Sequence, residues 1–441
     1  MLKPLSPAPA DCTEMQIGSA QFPTPFASGL EYNPPARGPW NIVHTGMLLP
    51  QAHQIFVCAQ GCLRGVILTA AEMNAMDRMS WVSLCEEDII GGNMEQLMID
   101  GVANILQKLH PLPPAVLLFI SCIQQFVGCD FPLVLRTLRS RFPDVDFADC
   151  YMNPTMRKSG LTPDQLMRRQ LYSLLRPAAR DLKNVNLIGN DRPTDASSEL
   201  LQILRQSEFR VRDITQCKTY DEYQQMAESA WNITYLPTAA AAGDALQQRL
   251  GQKHLYLPLC YRREDLLQNY KVLADTLGLS LPDFSNIMQK TEDALDKVRR
   301  EIGNMPVTID YTAVPRPLSL VRMLLEHGFC VSAVYADSFS DEEGTDFHWL
   351  QQHAPTLRIC ATIHPSLRFY QPRTNAEILA IGQKAAYFSG TAHFVNIVSG
   401  GGMYGFDGIA RLAEQMLDAY HHKKDTRTVI QKKGLGCACC L

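Results

Sequence analysis

Short apolar runs that end in small-residue turns, each followed by residues at helical spacing, constrain the fold of this 441-residue chain most. The clearest is Ala115–Ile120, six apolar residues that lead into Ser121-Cys122. Ile55–Val57 is a shorter run that leads into Cys58-Ala59-Gln60-Gly61-Cys62. An unbroken apolar strand is buried on both faces and needs helices above and below it. Helical spacing follows where this requires it. Asn93–Leu109 carries Leu97, Ile99, Val102, Ile105, Leu106 and Leu109, and Phe131–Phe142 reads as a further helix. Thr69–Met79 is also read as helical, and Asp144–Cys150 as the next strand.

The alternation continues in two further rounds. Val185–Ile188, Phe209–Asp213, Asn232–Leu236 and Lys253–Leu257 read as strands around helices Ala196–Ser207 and Ala240–Leu250. A long helical stretch, Phe284–Gly303, precedes the third round. That round has strands Val307–Tyr311, Cys330–Tyr335 and Leu357–Thr362, with helices Leu318–His327, Ala376–Ser389 and Gly408–Ala419. The expected class is α/β, with three doubly wound, Rossmann-like parallel-sheet domains. The expected divisions are an N-terminal arm at 1–37, domains at 38–184, 185–303 and 304–425, and a cysteine-rich tail at 426–441. The arm is rich in Pro, Ala and Gly and is expected to drape irregularly over the first domain. Ligands of such sheets lie beyond the carboxyl ends of the strands.

A chain of this length exceeds one ordinary core, and 46% hydrophobic with 20% charged residues is an ordinary globular composition. A net charge of −4 gives no electrostatic reason to expect nucleic acid or an anionic membrane as partner. No apolar run approaches a membrane span, and Met1-Leu2-Lys3-Pro4 opens no signal core, so a cytoplasmic location is expected. Fourteen cysteines in a reducing compartment shift the expectation from disulfides towards metal or redox chemistry. Cys330 and Cys360, within strand-like runs, are read as small core residues.

Two glycine-flanked turns carry the chemistry: Cys58 to Cys62, and Cys122 with Val127-Gly128-Cys129-Asp130. A thiol at a strand end is a natural soft-metal ligand, for iron–sulfur clusters above all. Along a strand, Cys58 and Cys62 would point to the same face and so could share a site. Gly400-Gly401-Gly402 has no Gly-Lys-Ser/Thr after it and reads as a flexible turn rather than a phosphate loop. Cys437, Cys439 and Cys440 crowd the last residues. Ala438 stands where a prenylation signal needs cysteine, and three such close thiols do not complete a four-ligand site alone. They are read as a metal-handling or redox-sensitive appendage, or as an inert tail.

Five dispersed segments, in order, resemble the nitrogenase component 1 family. They are Gln60-Gly61-Cys62; Glu86-Glu87-Asp88-Ile89-Ile90-Gly91-Gly92; Ser121-Cys122 with Val127-Gly128-Cys129-Asp130; Arg316-Pro317; and Tyr404-Gly405-Phe406-Asp407-Gly408. The resemblance runs from about Gly38 to Ala419. It implies that Cys62 and Cys122 ligate an iron–sulfur cluster, [4Fe-4S] or larger, at the interface with a homologous component 1-like subunit or a second copy. The family's third thiol would precede Gly38-Pro39, where this chain has Ser28-Gly29-Leu30-Glu31-Tyr32; Cys12 is the only upstream cysteine. Cys58 or Cys85 is the candidate substitute, with Cys129 behind them.

Nitrogenase's own cofactor ligands have no counterpart here. Thr234-Tyr235-Leu236-Pro237-Thr238 holds no thiol, and His393 before Phe394–Ser399 is out of register, so dinitrogen is not the implied substrate. Arg316, Cys260 and His364 follow expected strands. Arg316 and His364 are the candidate catalytic pair, holding an anionic substrate or delivering protons. The alternatives are an Arg316 ion pair with a local carboxylate and a turn capped by His364. The implied function is that of a subunit of a nitrogenase-like oxidoreductase. An ATP-dependent, Fe-protein-like reductase would supply it with electrons, since the chain has no nucleotide loop. A non-catalytic scaffold for metallocluster assembly and transfer is the alternative, and a silent architectural subunit the third.

Overall fold

The computed structural model describes residues 13–27, 29, 31–32, 42–152, 160–370 and 377–426. Cys12, Gly38-Pro39 and the Cys437, Cys439 and Cys440 tail lie outside the described residues. Fourteen strands occur among them, in chain order. They are β1 (Glu14–Gln16), β2 (His53–Ala59), β3 (Met79–Leu84), β4 (Ala115–Ser121), β5 (Asp146–Met152), β6 (Asp181–Leu187) and β7 (Arg210–Asp213). Then follow β8 (Ser229–Thr234), β9 (Lys253–Tyr256), β10 (Val307–Asp310), β11 (Val331–Tyr335), β12 (Arg358–Cys360), β13 (Leu379–Ile381) and β14 (Phe394–Val395). They form three sheets in two compact units. One unit comprises residues 39–193 and 204–257; the other comprises 1–38, 194–203 and 258–441.

The first unit contains two wholly parallel sheets, ordered β3-β2-β4-β5 and β7-β6-β8-β9. In the first of these sheets the apolar run at β4 divides its side chains between two cores. Val116, Leu118 and Ile120 pack with Val102, Leu106, Val134 and Leu138 from helices on one face. Leu117 and Phe119 pack with Phe56, Cys58, Leu63 and Met167 on the other. Phe56 and Phe119 stack face to face at 4.2 Å between centroids. Each such side chain contributes about 1.5–3 kcal/mol by leaving water, which makes the strand ends rigid mounts for the turns that follow. In the second sheet, buried Asn186, Ser229, Asn232 and Gln252 are joined by hydrogen bonds of 2.8–3.2 Å, so their polar groups are met inside the sheet.

The other unit has one six-stranded sheet, ordered β1-β12-β11-β10-β13-β14. Five strands are parallel; β1 alone is antiparallel, with Glu14 opposite Cys360. The arm expected over the first domain is thus corrected. Its described part adds an edge strand to the third sheet, and Glu14 meets Arg358 at 3.1 Å. Two expected helices also change. Thr69–Met79 gives way to a helix at Gln60–Glu72 followed by β3, and the start of Ala376–Ser389 becomes β13, with a helix only from Gln383. Cys360 is buried as expected, whereas Cys330 is exposed ahead of β11. No helix among the described residues is long and apolar enough to cross a membrane.

Candidate functional site

The paired cysteine turns come together at the carboxyl edge of the first sheet. β2 and β4 are neighbours in parallel register, with Val57 opposite Ile120. Cys62 is the third residue of the Gln60–Glu72 helix that follows β2, and is exposed. Cys122 opens the short Cys122–Phe126 helix after β4 and is half-buried. Burial raises the Cys62 pKa, and the neighbouring Cys122 charge raises it further, so the two sulfurs sense one another.

A residue not singled out in the sequence fixes the second turn. Gln124 is wholly buried and accepts the Ser121 backbone N–H at 3.0 Å and the Ser121 hydroxyl at 2.7 Å. It also donates to the Val57 carbonyl of β2 at 2.6 Å. The signal was present as Ser-x-x-Gln, a capping box ahead of a helix.

The other thiols at this edge behave differently. Cys58 is wholly buried, packed with Phe56 and Leu63, and its thiol is pushed up to about 12, first by burial and then by Cys62 and Cys122. The expectation that Cys58 and Cys62 share a strand face is corrected, because the chain turns helical at Gln60 and strand alternation ends there. Cys85 follows β3 and caps the Glu86–Ile90 helix, its sulfur donating to Asp88 at 2.9 Å. That bond and one to Glu87 raise the Cys85 pKa. Cys129 lies against Met98 Sδ at 3.8 Å, and burial followed by the charge of Glu95 holds it at about 12.

A second polar group lies in the other unit. Arg316 stands at the N-terminus of the Pro317–Glu326 helix and donates through Nη2 to the Glu342 carbonyl at 3.0 Å. Its Nε is buried without a hydrogen-bond partner. The Arg316 charge is felt by Glu343, Asp346 and buried Cys260, whose sulfur accepts from Asn269 at 3.4 Å. Glu343 is pushed up to about 8 by burial, although the Leu318 N–H at 2.9 Å favours its anion. The glycine loop belongs to the same region. Ser399 and Gly400 donate backbone bonds to Thr312 and Ala313, both at 2.8 Å, and a methyl on Gly400 would press on Leu259 at 2.8 Å. It is therefore a pinned turn, not the flexible one expected. His364 is set apart from this group: its Nδ1 accepts the Ser366 N–H at 3.2 Å and caps the Pro365–Phe369 turn. The structure thus draws Arg316, Cys260 and the glycine loop together, and no described hydrogen bond or ion pair links His364 to Arg316.

A family model described as nitrogenase component 1 type oxidoreductase matches residues 43–421, most of the chain. The chain belongs to this family. Among solved structures, "Nitrogenase Cp1 at pH 6.5" is similar with a TM-score of 0.66 at 13% identity, covering 90% of this chain and 94% of that one. "Nitrogenase Cp1 at pH 5" gives 0.56 at 11% identity, covering 93% and 94%. At such identities these likenesses show the fold, which is that of three Rossmann-like parallel-sheet regions. No curated protein matches.

Nitrogenase component 1 proteins carry metal–sulfur clusters, and the donors here can be tested against such a group. A cluster needs accessible thiolates on a rigid mount. Cys62 and Cys122 meet that need as a pair. No group of three or more His, Cys, Asp or Glu residues able to hold a metal forms among the described residues. The edge therefore fits part of a ligand set.

Proposed function

We propose that this chain is an electron-transferring subunit of a nitrogenase-like oxidoreductase, with Cys62 and Cys122 as ligands of an iron–sulfur cluster at a subunit interface. The observation that carries this is the pair of accessible thiols on the ends of two adjoining parallel strands, β2 and β4. When bound, the cluster supplies one-electron storage at that edge. The chain's own part is to present two thiolates, hold them by the Gln124 clamp, and leave the surface around them open to a partner. Exposed Phe126 and Ile90, with the acidic Glu86-Glu87-Asp88 run, give that surface an apolar centre and a charged border on which an ATP-dependent, Fe-protein-like reductase would dock.

Arg316 is the proposed substrate-holding residue, since its buried, unpartnered Nε offers a donor to an anionic or strongly accepting group. His364 remains the candidate proton donor, released from its turn by substrate. Dinitrogen is not the proposed substrate. Thr234 is bound to His254 Nε2 at 2.7 Å, and His393 Nδ1 is bound to the Ala419 carbonyl at 2.9 Å, so neither position offers a cofactor ligand. The same lack suits a scaffold that carries a cluster for transfer. Anaerobic purification with iron, sulfide and electron paramagnetic resonance analysis of the wild type, Cys62→Ala and Cys122→Ala tests the cluster. Full iron in both variants would refute it. ATP-dependent turnover with a reductase, against cluster loss to an acceptor protein, separates the enzyme from the scaffold.

A further inference from the structure

Cys129 is not used by the cluster reading proposed above, and its neighbours are those of a metal ligand. It follows the Cys122–Phe126 helix and is half-buried, between exposed Gly128 and exposed Asp130. Its sulfur lies 3.8 Å from Met98 Sδ, and it also shares a side-chain hydrogen bond with Glu95. Met98 is wholly buried and Glu95 half-buried, so the thioether is the inner donor and the carboxylate the outer one. A thiol, a thioether and a carboxylate thus meet in one place.

All three stand on fixed mounts. Glu95 and Met98 are three residues apart on the Met94–Lys108 helix and so share a face. The Cys129 N–H donates to the Gln124 carbonyl at 2.9 Å, and the Gly128 N–H to that of Gln125 at 3.2 Å. Asp130 ties this turn to the helix, its N–H donating to Glu95 Oε1 at 2.7 Å. It also caps the Phe131–Arg141 helix by accepting the Leu133 N–H at 2.9 Å. The spacing of the sulfurs is that of a shared ion. Two sulfurs each about 2.3 Å from one metal, on the observed 3.8 Å base, subtend about 110°, near a trigonal or tetrahedral angle. Zinc sites are built from thiolate, imidazole and carboxylate, and iron–sulfur clusters from thiolates; a thioether among the donors selects cuprous copper.

We propose that Cys129, Met98 and Glu95 form a binding site for a single monovalent copper ion. On binding, the sulfur–hydrogen bond of Cys129 breaks, a copper–sulfur bond forms and the proton leaves to solvent. The copper enters and stays in its monovalent state, so no oxidant or reductant takes part. Met98 gives a sulfur lone pair from the buried side, and Glu95 offsets the charge of the ion. The negative charge that keeps the proton on Cys129 also attracts the cation that replaces it. The site uses none of the residues assigned to the cluster.

The test uses the full chain carrying Cys62→Ser, Cys122→Ser, Cys437→Ser, Cys439→Ser and Cys440→Ser, which removes competing thiols. It is titrated anaerobically with cuprous ion against bicinchoninate as competing chelator, while isotope-labelled methionine methyl groups are followed by NMR. The expected result is one copper per chain held against the chelator, with a shift of the Met98 methyl signal. Added to that chain, Cys129→Ser lowers the affinity about a hundredfold and the volume-conserving Met98→Leu about tenfold, both with unchanged far-UV dichroism. Glu95→Gln lowers it several-fold. No copper held against the chelator, an affinity unchanged in both Cys129→Ser and Met98→Leu, a Met98 signal unmoved by copper, or zinc held as tightly overturns the site. None of these outcomes bears on the cluster, whose own test is the iron content of Cys62→Ala and Cys122→Ala.

Discussion

The side-chain amide of Gln124 donates to the main-chain carbonyl of Val57 at 2.6 Å, tying the turn after β4 to the strand that leads to Cys62. The same side chain accepts from Ser121, so one buried residue sets the spacing of two thiol-bearing turns. Gln124→Leu removes three buried hydrogen bonds and leaves their partners unmet. We expect a loss of about 2–3 kcal/mol in urea unfolding and faster iron release from the loaded protein. A variant that unfolds at the wild-type midpoint would show that the clamp is ornamental.

Much of this edge was legible in the sequence because burial on both faces leaves an unmistakable mark. Ala115–Ile120 has no polar residue, and its structure is the strand the run implied. β3 was missed because Met79-Ser80-Trp81-Val82-Ser83-Leu84 alternates as an edge strand does, and a helical reading of the preceding residues absorbed its start. β13, three residues long, vanished into a neighbouring helix for the same reason. The thiols themselves were found, but not their directions. Whether Cys58 shares a face with Cys62 depends on where the strand stops, and residue types do not fix that point to one residue. The Arg316 group depends on contacts far apart in the chain, such as Gly400 with Ala313, which no local pattern announces.

Thiol accessibility gives a direct check on those directions. In the metal-free chain, a maleimide read by mass spectrometry should label Cys62, Cys85 and Cys330 within the native state. Cys58, Cys150, Cys260 and Cys360 should react only after unfolding. Native labelling of Cys58 at the rate of Cys62 would mean that the turn at Gln60 is not formed.

The Gly405-Phe406-Asp407-Gly408 segment owes its composition to packing. Glu199 accepts the Asp407 N–H at 2.8 Å and the Tyr270 hydroxyl at 3.0 Å, capping the Gly405–His421 helix. Gly405 has φ of +87°, and a methyl there would overlap both the Glu199 carboxylate and the Tyr270 hydroxyl. Gly405→Ala should cost about 3 kcal/mol or more, seen as a lower thermal midpoint, whereas the exposed Gly61→Ala, with nothing near its would-be methyl, should be close to neutral.

Glu343 makes the Arg316 group sensitive to pH in a defined direction. Burial holds its proton in the folded chain up to about pH 8, whereas its ordinary value is 4.5. Between those values the folded state binds the extra proton, so this group's contribution to stability falls as pH rises and is level above about 8. The shift corresponds to at most about 5 kcal/mol, and less once neighbouring charges relax. Glu343→Gln should flatten this slope in urea unfolding measured from about pH 5 to about pH 9. The same proton governs ligand binding. Below about pH 8 the neutral Glu343 adds no negative charge beside Arg316, and above it the carboxylate competes with any anion there. Phosphate or carboxylate binding that depends on Arg316 should therefore weaken several-fold from pH 7 to pH 9 in the wild type and stay constant in Glu343→Gln. An equal loss in both would place the titrating group elsewhere.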